Sequence, residues 1–291
     1  MSRPEFSFIT PTYNCSRFIR RCYWSLCQQT LQDWEWIVVD DASTDGTAQL
    51  IHEISDSRIT YYRLEKNRGA GVARVRALRL AHGSWLVIQD MDDCSFPTRL
   101  QQARVAREQG FDFMCSYLAL IDGAYSLHGF RGWHETGYPR SFPHGSLCGR
   151  TDIIRSIGYP TYRRGEDQTM VLHMANNFNG LYVPEPLYVY HEDANITANR
   201  AMMGHYCTVL QMLSLLREGS LKPSVGAYRV MVAHVMKVIC LAPVCLWPPL
   251  YQRTLCWREN LRIGNHGLLS EDQAAFLLRM SALFPIASGV S

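Results

Sequence analysis

The chain of 291 residues is 47% apolar and 19% charged, a composition that supports a substantial core and argues against wholesale disorder. Its formal net charge of +3 is too small to indicate nucleic-acid binding, and no basic run is interleaved with aromatic residues. The ten cysteines form no CxxC pair, and the N-terminus "MSRPEFSFITP" carries no secretory signal, so we expect reduced thiols in a cytoplasmic protein.

Strands and helices alternate along the first hundred residues, as is typical of βαβ units and a parallel sheet. The strand Trp36–Val39 is an unbroken apolar run, as expected for a strand covered by helices on both faces. The predicted strands are Glu5–Thr10, Trp36–Val39, Ile59–Leu64 and Trp85–Ile88. The predicted helices run from about Ser16 to Gln28, through Leu50 to Ile54, and from about Gly71 to Ala81.

Polar clusters follow three of these strands: "PTYN" after the first, "DDASTD" after the second and "QDMDD" after the fourth. Ligands of parallel α/β sheets bind outside the carboxyl ends of the strands, so we expect the three clusters to meet at one site. Taken singly, Asn14 and Asp45 have an alternative role as helix caps or turn residues, for which Asn and Asp are favoured.

The last cluster places Asp90, Asp92 and Asp93 within four residues. Three neighbouring negative charges repel one another. One interpretation is a solvated turn, and the other is that a divalent cation bound to phosphate offsets the repulsion.

The segment "GAGVAR", from Gly69 to Arg74, begins like a dinucleotide-binding fingerprint. Arg74 occupies its third glycine position, and the segment follows the third strand rather than the first. We therefore reject a dinucleotide site there.

Several of these segments, in their order along the chain, resemble the family 2 glycosyltransferases, which have the GT-A fold. The matching segments are "FSFITPTYN", "EWIVVDDASTDGT", "NRGAGVARVRALRLAHGSW", "VIQDMDD", "GEDQTM" and "LYVYHEDANIT". The resemblance implies an α/β fold with a mostly parallel sheet, helices on both of its faces and a C-terminal helical appendage. We expect residues 1–198 to form the nucleotide-sugar-binding and catalytic domain and residues 199–291 to form the helical region.

The family's DxD motif falls on Asp90-Met91-Asp92. By this resemblance, Asp92 binds a divalent cation, Mn²⁺ or Mg²⁺, which offsets the charge of the departing diphosphate. Asp90 and Met91 are assigned to the nucleotide sugar, with Asp90 at the ribose or at a metal-bound water and Asp93 in support. His191 matches a position where some relatives have a further metal or phosphate ligand, and a structural histidine is the alternative.

The pair Asp40-Asp41 matches the position where the family holds the nucleoside. A carboxylate that accepts a hydrogen bond from uracil N3–H would select uridine nucleotides. Arg74 matches a family arginine near the nucleotide, although Val75 replaces the asparagine that often follows it, and an exposed helix arginine is the alternative. The residues expected on the other side of the base are Pro11, Thr12 and Tyr13.

Catalysis by such an enzyme needs a base, because a sugar hydroxyl is a poor nucleophile. The segment "RRGEDQTM" matches the family's ED motif, which makes Asp167 the predicted base and Glu166 its neighbour or an acceptor contact. The alternative is that both acids only stabilise the N-terminus of the helix that continues through Met174.

The family resemblance fades beyond Asn199, where helices are predicted at about Met202–Leu216, Val225–Leu241 and Glu271–Leu283. From Asn199 onward, nine Lys/Arg outnumber four Asp/Glu, a balance of +5. The uncharged run Val238–Tyr251 is too short to span a bilayer and contains prolines. It forms either a buried helical appendage or, with the arginines that follow it, a surface that contacts a membrane.

The sequence thus predicts an inverting, metal-dependent glycosyltransferase that moves a sugar from a nucleoside diphosphate sugar, with UDP preferred, to a hydroxyl of a glycan or lipid-linked acceptor. Acceptor contacts are expected from Gly129–Gly149, including Trp133 and His134. The alternatives are a sugar nucleotidyltransferase on a related fold and a non-catalytic nucleotide-sugar-binding protein. We expect a cytoplasmic location, with peripheral contact at the inner face of the plasma membrane. The sequence is compatible with an oligomer.

Overall fold

The computed structural model describes residues 3–132, 141–160, 165–192, 198–246 and 269–284. The strands are β1 (Phe6–Thr12), β2 (Trp34–Asp40), β3 (Ile59–Arg63), β4 (Trp85–Ile88), β5 (Cys94–Ser95), β6 (Phe113–Ile121), β7 (Leu127–Arg131), β8 (Cys148–Arg150) and β9 (Gly180–His191). The helices are α1 (Ile19–Cys27), α2 (Thr47–Glu53), α3 (Ala70–Leu80), α4 (Arg99–Glu108), α5 (Thr151–Ile157), α6 (Glu166–Asn177), α7 (Ala198–Arg217), α8 (Val225–Leu246) and α9 (Glu271–Leu283).

The strands form one mixed sheet in the order β3-β2-β1-β4-β8-β6-β9-β5, with β7 paired to β6. Strands β1 to β4 are parallel to one another, as the alternation of strands and helices predicts. In the other half, β8 runs antiparallel to β4 and β6, and β9 runs parallel to β6. The predicted α/β class is therefore confirmed, and the carboxyl ends of β1, β2 and β4 lie at one edge.

Helices cover both faces of the sheet because the central strands are apolar on both sides. On one face, Ile9, Ile37 and Ile88 pack with side chains of α3, α5 and α6. On the other face, Phe8 and Trp36 pack with side chains of α1, α2 and α4. Fully buried strands of this kind are typical of parallel sheets between helical layers.

The predicted element bounds agree closely with the structure in the first half of the chain. Strand β4 has the predicted bounds Trp85–Ile88, and α3 begins and ends one residue before the predicted helix. The first helix differs, because Ser16–Phe18 form a 3-10 turn before α1 starts at Ile19.

The C-terminal helices pack on the sheet domain in two places. Helix α7 contacts α6, and α8 contacts α7. Helix α9 has the predicted bounds and packs beside β5 and β9, where Phe276 stacks on Trp24 and Gln273 Nε2 donates to the Pro186 carbonyl. Helix α8 continues through Pro243 to Leu246, beyond its predicted end at Leu241. The division at residue 198 stays a prediction.

None of the helices in the described ranges is long and apolar enough to cross a membrane. The arginines that follow Val238–Tyr251 and both aromatic residues of that run, Trp247 and Tyr251, lie in residues 247–268, outside the described part of the chain.

Candidate active site

The ends of β1 and β2 bring two of the predicted polar clusters together. Thr12 pairs with Asp40 in the parallel register, and the Asp41 N–H donates to the Thr12 carbonyl at 2.8 Å. The next strand of the sheet ends beside them, since Gln89 N–H donates to the Ile9 carbonyl at 3.2 Å. The edge thus places the third cluster, which starts at Asp90, next to the first two.

The first two acids of the second cluster, Asp40 and Asp41, are buried and hold the loops around them. Asp40 Oδ1 accepts hydrogen bonds from the amide and hydroxyl of Ser43 at 2.8 and 2.5 Å, and Oδ2 accepts from the Tyr61 hydroxyl at 2.6 Å. Asp41 Oδ1 and Oδ2 accept from the N–H groups of Arg68 and Gly69, each at 2.7 Å. The two carboxylates therefore position the loops after β2 and β3, whatever further contact they make with a nucleotide.

The first cluster offers an exposed aromatic ring beside these acids. Tyr13 is 45% exposed, Thr12 is buried and Pro11 is half-buried. Asn14 has φ +52° and fixes the loop, because its Oδ1 accepts from the Thr44 N–H at 2.8 Å and its own N–H donates to Ser43 Oγ. Of the three residues expected to line the base, Tyr13 is thus the most accessible.

The third cluster is a tight turn built around Asp93. The Asp93 N–H donates to the Asp90 carbonyl, and the buried Asp93 carboxylate accepts from the Tyr188 hydroxyl at 2.9 Å and the His191 N–H at 2.8 Å. Tyr188 in turn accepts from the Asp90 N–H at 3.0 Å. Burial, together with the negative charges of Asp92 and Asp90, raises the pKa of Asp93 well above its ordinary value.

Helix α1 braces the same turn from the other side. A guanidinium nitrogen of Arg21 donates to the Asp92 carbonyl, and Cys22 Sγ lies 3.9 Å from the Asp90 carbonyl. His191, at the end of β9, stacks at a tilt on Phe18, with ring centroids 5.7 Å apart. The structure therefore places His191 next to the turn, where its backbone N–H donates to the Asp93 carboxylate.

Arg74 joins this turn to the predicted catalytic helix. Its Nη2 donates to Asp90 Oδ1 at 3.0 Å and its Nη1 donates to Glu166 Oε1 at 2.6 Å, with only 6% of the residue exposed. Burial lowers the pKa of Arg74, but Asp90, Tyr159 and Glu166 outweigh burial and raise its pKa above the ordinary value. The exposed-helix alternative for Arg74 is therefore wrong.

The two acids of the ED motif have different surroundings. Glu166 is buried against Arg74, and burial raises its pKa although Arg74 opposes the change. Asp167 is half-buried in the first turn of α6, and its Oδ1 accepts from the Gln168 N–H at 2.9 Å. Among the described residues, no Lys, Arg or His forms an ion pair with Asp167, whereas Glu166 is committed to Arg74.

His144, from the span Gly129–Gly149 that was expected to contact the acceptor, is buried close to Arg74 and Tyr159. His144 Nε2 lies 2.9 Å from the Tyr159 hydroxyl, and the Arg74 guanidinium lies 5.7 Å from the centre of the Tyr159 ring. Burial and the charges of Arg74 and Arg99 lower the pKa of His144 well below its ordinary value. This end of Gly129–Gly149 is packed inside, while Trp133 and His134 lie outside the described residues.

The residues at the sheet edge fit a hard divalent cation that takes part of its ligands from phosphate. Asp90 and Asp92 are half-buried, and their carboxylate oxygens are the ligands that Mg²⁺ and Mn²⁺ prefer. In the part of the chain that the structure describes, no group of three or more His, Cys, Asp or Glu residues would hold an ion alone. The Met91 side chain is buried in the core, so a contact from Met91 to a nucleotide would come from its backbone.

Three residues that support the site were not predicted from the sequence: Arg21, Arg99 and Tyr188. Arg99 is fully buried, where Nη1 donates to Ser95 Oγ and Nη2 to the Gly145 carbonyl, and its guanidinium lies 4.8 Å from the Tyr188 ring centre. Tyr188 could have been found from the strand segment "LYVYH", in which alternation puts Tyr188 and Tyr190 on the same face.

Comparison with known proteins defines the class. The family model described as glycosyl transferase family 2 matches residues 7–123. EpsE of Bacillus subtilis (strain 168), assigned as a glycosyltransferase, is 29% identical over 218 residues, which cover 69% of this chain and 77% of EpsE. The Escherichia coli enzyme named UDP-Glc:alpha-D-GlcNAc-diphosphoundecaprenol beta-1,3-glucosyltransferase WfgD is 34% identical over 117 residues, 40% of this chain but only 46% of WfgD.

Solved structures agree with the fold. Residues 1–349 of S. aureus TarS, crystallised with UDP-GlcNAc, align with a TM-score of 0.61 and 20% identity over 80% of this chain and 72% of that chain. The mannosyltransferase PcManGT from Pyrobaculum calidifontis, in complex with GDP-Man and Mn²⁺, gives a TM-score of 0.61 and 20% identity over 97% and 81% of the two chains. Residues 7–123 therefore match the family 2 glycosyltransferase domain and the fold is that of the GT-A glycosyltransferases, so the sugar nucleotidyltransferase alternative is not favoured.

Proposed function

We propose that this glycosyltransferase transfers a sugar from a nucleoside diphosphate donor, UDP-linked in our assignment, to a hydroxyl of a glycan or lipid-linked acceptor with inversion at the anomeric carbon. The proposal rests chiefly on Arg74, which bridges Asp90 of the DxD motif and Glu166 of the ED motif. A single buried guanidinium thus links Asp90, on the donor side, to the helix of the proposed base.

Asp167 is the proposed general base. It sits beside Glu166, which is neutralised by Arg74, and it has no ion-pair partner of its own within the described residues. A carboxylate without an ion-pair partner can remove the proton of the acceptor hydroxyl as the new glycosidic bond forms and the bond to the diphosphate breaks. Glu166 then acts as a positioning residue, since it orients Arg74 and the first turn of α6.

The donor is proposed to lie across the ends of β1, β2 and β4. Tyr13 would stack on the base, and the Asp40-Asp41 pair would orient the nucleoside from the neighbouring strand. Asp92, with Asp90 and His191 beside it, would hold Mn²⁺ or Mg²⁺. When bound, this cation would offset negative charge on the departing diphosphate. PcManGT was solved with Mn²⁺ and a nucleotide sugar, which supports the choice of ion.

The setting of the reaction is also proposed. A cytoplasmic enzyme that elongates a lipid-linked acceptor would work at the membrane surface, and the +5 charge balance beyond Asn199 favours contact with anionic lipid. The name of WfgD specifies a diphosphoundecaprenol-linked acceptor for that enzyme, which supports a lipid-linked acceptor here. An oligomer is compatible with this setting.

The test is a thermal-shift panel of nucleoside diphosphates with and without Mn²⁺, repeated on Asp92→Ala. A ligand at 100 times its dissociation constant adds about 2.7 kcal/mol to the free energy of unfolding. We expect UDP with Mn²⁺ to give the largest shift, and Asp92→Ala to lose the Mn²⁺-dependent part only. Asp112→Ala serves as the control, because Asp112 lies directly before β6 and is not among the residues assigned to the site. Parental UDP–Mn²⁺ binding by Asp92→Ala would mean that the DxD assignment is wrong.

A further inference from the structure

A short 3-10 turn, His144–Ser146, packs beside the acids of the candidate site but has none of the roles assigned above. It contacts β4 and β9, the strands that lead to the DxD turn and to His191, and it contacts α6, which begins at Glu166. Both ends of the turn are buried. The turn is therefore next to the donor side and to the helix of the proposed base.

At its first residue the turn holds a buried tyrosine. His144 Nε2 lies 2.9 Å from the Tyr159 hydroxyl, and the two rings meet edge to face with their centroids 5.7 Å apart. Burial raises the pKa of Tyr159 and lowers the pKa of His144, so both groups are neutral near pH 7. They pair as one donor and one acceptor, which holds the Tyr159 ring in place.

The Tyr159 ring in turn lies beside the Arg74 guanidinium, 5.7 Å from the ring centre to Cζ. Arg74 gives one hydrogen bond to Asp90 and one to Glu166, and its Nε is shielded from solvent with no partner in the described part of the chain. A guanidinium that makes two parallel bonds to one carboxylate is fixed in its plane, whereas single bonds to two separate acids let it pivot. Packing against the Tyr159 ring restricts that motion.

The second residue of the turn supports the same acids from the other side. The Gly145 carbonyl accepts from Arg99 Nη2 at 2.7 Å, and a Cβ atom on Gly145 would lie 2.9 Å from Tyr188 Cε1. Tyr188 accepts from the Asp90 N–H. The turn thus reaches Asp90 through its backbone here, and through its side chain by way of Arg74.

We propose that His144 and Tyr159 are positioning residues, which keep Arg74 on both acid motifs at once. Neither is assigned a contact with donor or acceptor, and their effect on transfer rests on the proposed function. Their effect on Arg74 does not, because the order of its side chain can be measured without turnover.

The first measurement is hydrogen exchange of the Arg74 Nε–H group, followed by NMR on the isotope-labelled full chain. This group is shielded from solvent, so its exchange should be slow in the parent. Tyr159→Phe keeps the ring but removes the hydroxyl, and His144→Ala removes the partner of that hydroxyl. Each variant should speed the exchange about tenfold, the size expected for the loss of one hydrogen bond. His144→Gln keeps a polar group near the position of Nε2 and should restore slow exchange.

Tyr23→Phe is the matched control. The Tyr23 hydroxyl donates to Asp56 Oδ2 at 2.7 Å, and neither residue is assigned to the site. The control loses one tyrosine hydrogen bond, as Tyr159→Phe does, but its Arg74 exchange should equal that of the parent.

The second measurement is the release of UDP from UDP-glucose and UDP-N-acetylglucosamine with Mn²⁺, in which water takes the place of the acceptor. Tyr159→Phe and His144→Ala should lower kcat about 10- to 100-fold, as small displacements of a reacting group do, with the donor KM within about threefold of the parent value. A purely structural role predicts lower thermal stability with parental kcat, as expected for Tyr23→Phe.

These outcomes separate the positioning role from the proposed function. Parental Arg74 exchange in Tyr159→Phe would overturn the positioning role, and faster exchange with parental kcat would overturn its part in catalysis. A parent protein that neither releases UDP nor binds UDP with Mn²⁺ in calorimetry would instead overturn the proposed function, and Arg74 exchange would still decide the positioning role. If His144→Ala fails to fold, Tyr159→Phe decides, because it keeps the packed ring.

Discussion

Arg74 determines the geometry of the candidate active site, because it contacts acids from two of its segments. Its two terminal nitrogens hold Asp90 and Glu166, which are 76 residues apart in the chain. Removing one partner of a buried ion pair leaves an uncompensated charge and typically costs about 3–5 kcal/mol. Lysine cannot replace this arginine, because a single ammonium does not reach two carboxylates in a fixed fork.

The Asp167→Asn variant tests the proposed base at the level of one atom. Asparagine keeps the shape of the side chain but cannot accept a proton, so the transfer rate should fall by about 10²- to 10⁴-fold. UDP affinity should stay nearly constant, because the lost interaction forms only in the transition state. Stability should also hold, since Asn is as good as Asp at a helix start. Steady-state transfer assays, calorimetry and thermal unfolding check the three expectations.

Asp152→Asn is the matched control, because Asp152 occupies the first turn of α5 as Asp167 occupies that of α6. The control should transfer sugar at the parental rate. Near-parental transfer by Asp167→Asn would instead leave Asp167 with only the helix-capping role.

The sequence could propose the acids of the candidate site and Arg74 beside them, but not Arg21 and Tyr188, which hold the turn that carries Asp90 and Asp92. Asp90, Asp92 and Asp167 stand out because their spacing and their place after a strand or before a helix carry a chemical pattern. Arg21 contacts the Asp92 carbonyl from 71 residues away, and Tyr188 reaches the Asp90 N–H from 98 residues away. Contacts at such separations depend on how the helices and strands pack, which local pattern does not encode.

Among the structural elements, the loop after β1 and the start of α2 are joined through Asp45. Its Oδ1 accepts from the Thr47 N–H at 3.0 Å and the Thr47 hydroxyl at 2.5 Å, and its Oδ2 accepts from the Ser16 N–H at 3.1 Å. Burial opposes ionisation, but these hydrogen bonds outweigh it and lower the pKa of Asp45 to about 2. Asp45 therefore has the role of a turn residue before α2, whose N-cap is Gly46.

This lowered pKa gives Asp45 a defined pH dependence. A carboxyl with a depressed folded-state pKa contributes stability that is present above its unfolded-state pKa of about 3.9 and is lost as the pH falls toward 2. Asp45→Ala should lower the free energy of unfolding by about 1 kcal/mol near pH 7. Urea unfolding should show the difference from the parent shrinking below about pH 4. Asp33→Ala serves as the control, because Asp33 is exposed. A difference in unfolding free energy between Asp45→Ala and the parent that did not change with pH would contradict the expectation.

The contact between α3 and the start of α6 depends on Gly71. A Cβ atom there would lie 2.5 Å from the Pro160 carbonyl oxygen and 3.3 Å from Glu166 Cγ. Gly71→Ala should therefore push the segment before α6 outward, destabilise the protein by about 1–3 kcal/mol and loosen the Arg74–Glu166 pair. Denaturant unfolding and the transfer rate measure both effects.

Gly204→Ala is the matched control for this prediction. Gly204 lies in α7, and a methyl group added at its Cα would meet no neighbouring atom within 4 Å, so alanine should stabilise the helix by about 0.5–1 kcal/mol. If Gly71→Ala and Gly204→Ala changed the free energy of unfolding and the transfer rate in the same way, the prediction that α3 and α6 need glycine at position 71 would be wrong.

Elements with strong local signals were predicted with accurate bounds, and the remaining strands were not. Strand β4 is a continuous apolar run with polar residues after it, and α9 begins with a Ser270–Gln273 capping box. Strands β5 and β8 have only two and three residues, so they carry no measurable periodicity. Their positions are set by pairing with β9 and β4, which are distant in sequence.

At the scale of the whole molecule, α8 presents an apolar stripe to solvent. The stripe comprises Tyr228, Val232, Val235, Met236 and Ile239, which are 39–57% exposed and recur at helical spacing. Residues 198–246 contain five Lys/Arg and one Asp/Glu, a balance of 5 − 1 = +4. Apolar side chains on a cationic helix pair are the combination that favours the surface of an anionic bilayer over bulk water.

The last prediction tests whether this stripe docks on a membrane. The double variant Val232→Ser/Ile239→Ser removes two side chains that are each 57% exposed, so it should weaken partition into phosphatidylglycerol vesicles by about 100-fold, because each loses about 1.5 kcal/mol of apolar burial. Lys237→Glu should weaken binding to anionic vesicles but not to phosphatidylcholine. Leu278→Ser, 72% exposed on α9, is the control and should bind as the parent does. Full-length parent protein that ignores anionic vesicles in sedimentation would contradict docking, and a shift from dimer to monomer in the double variant would assign the stripe to a second copy of the chain.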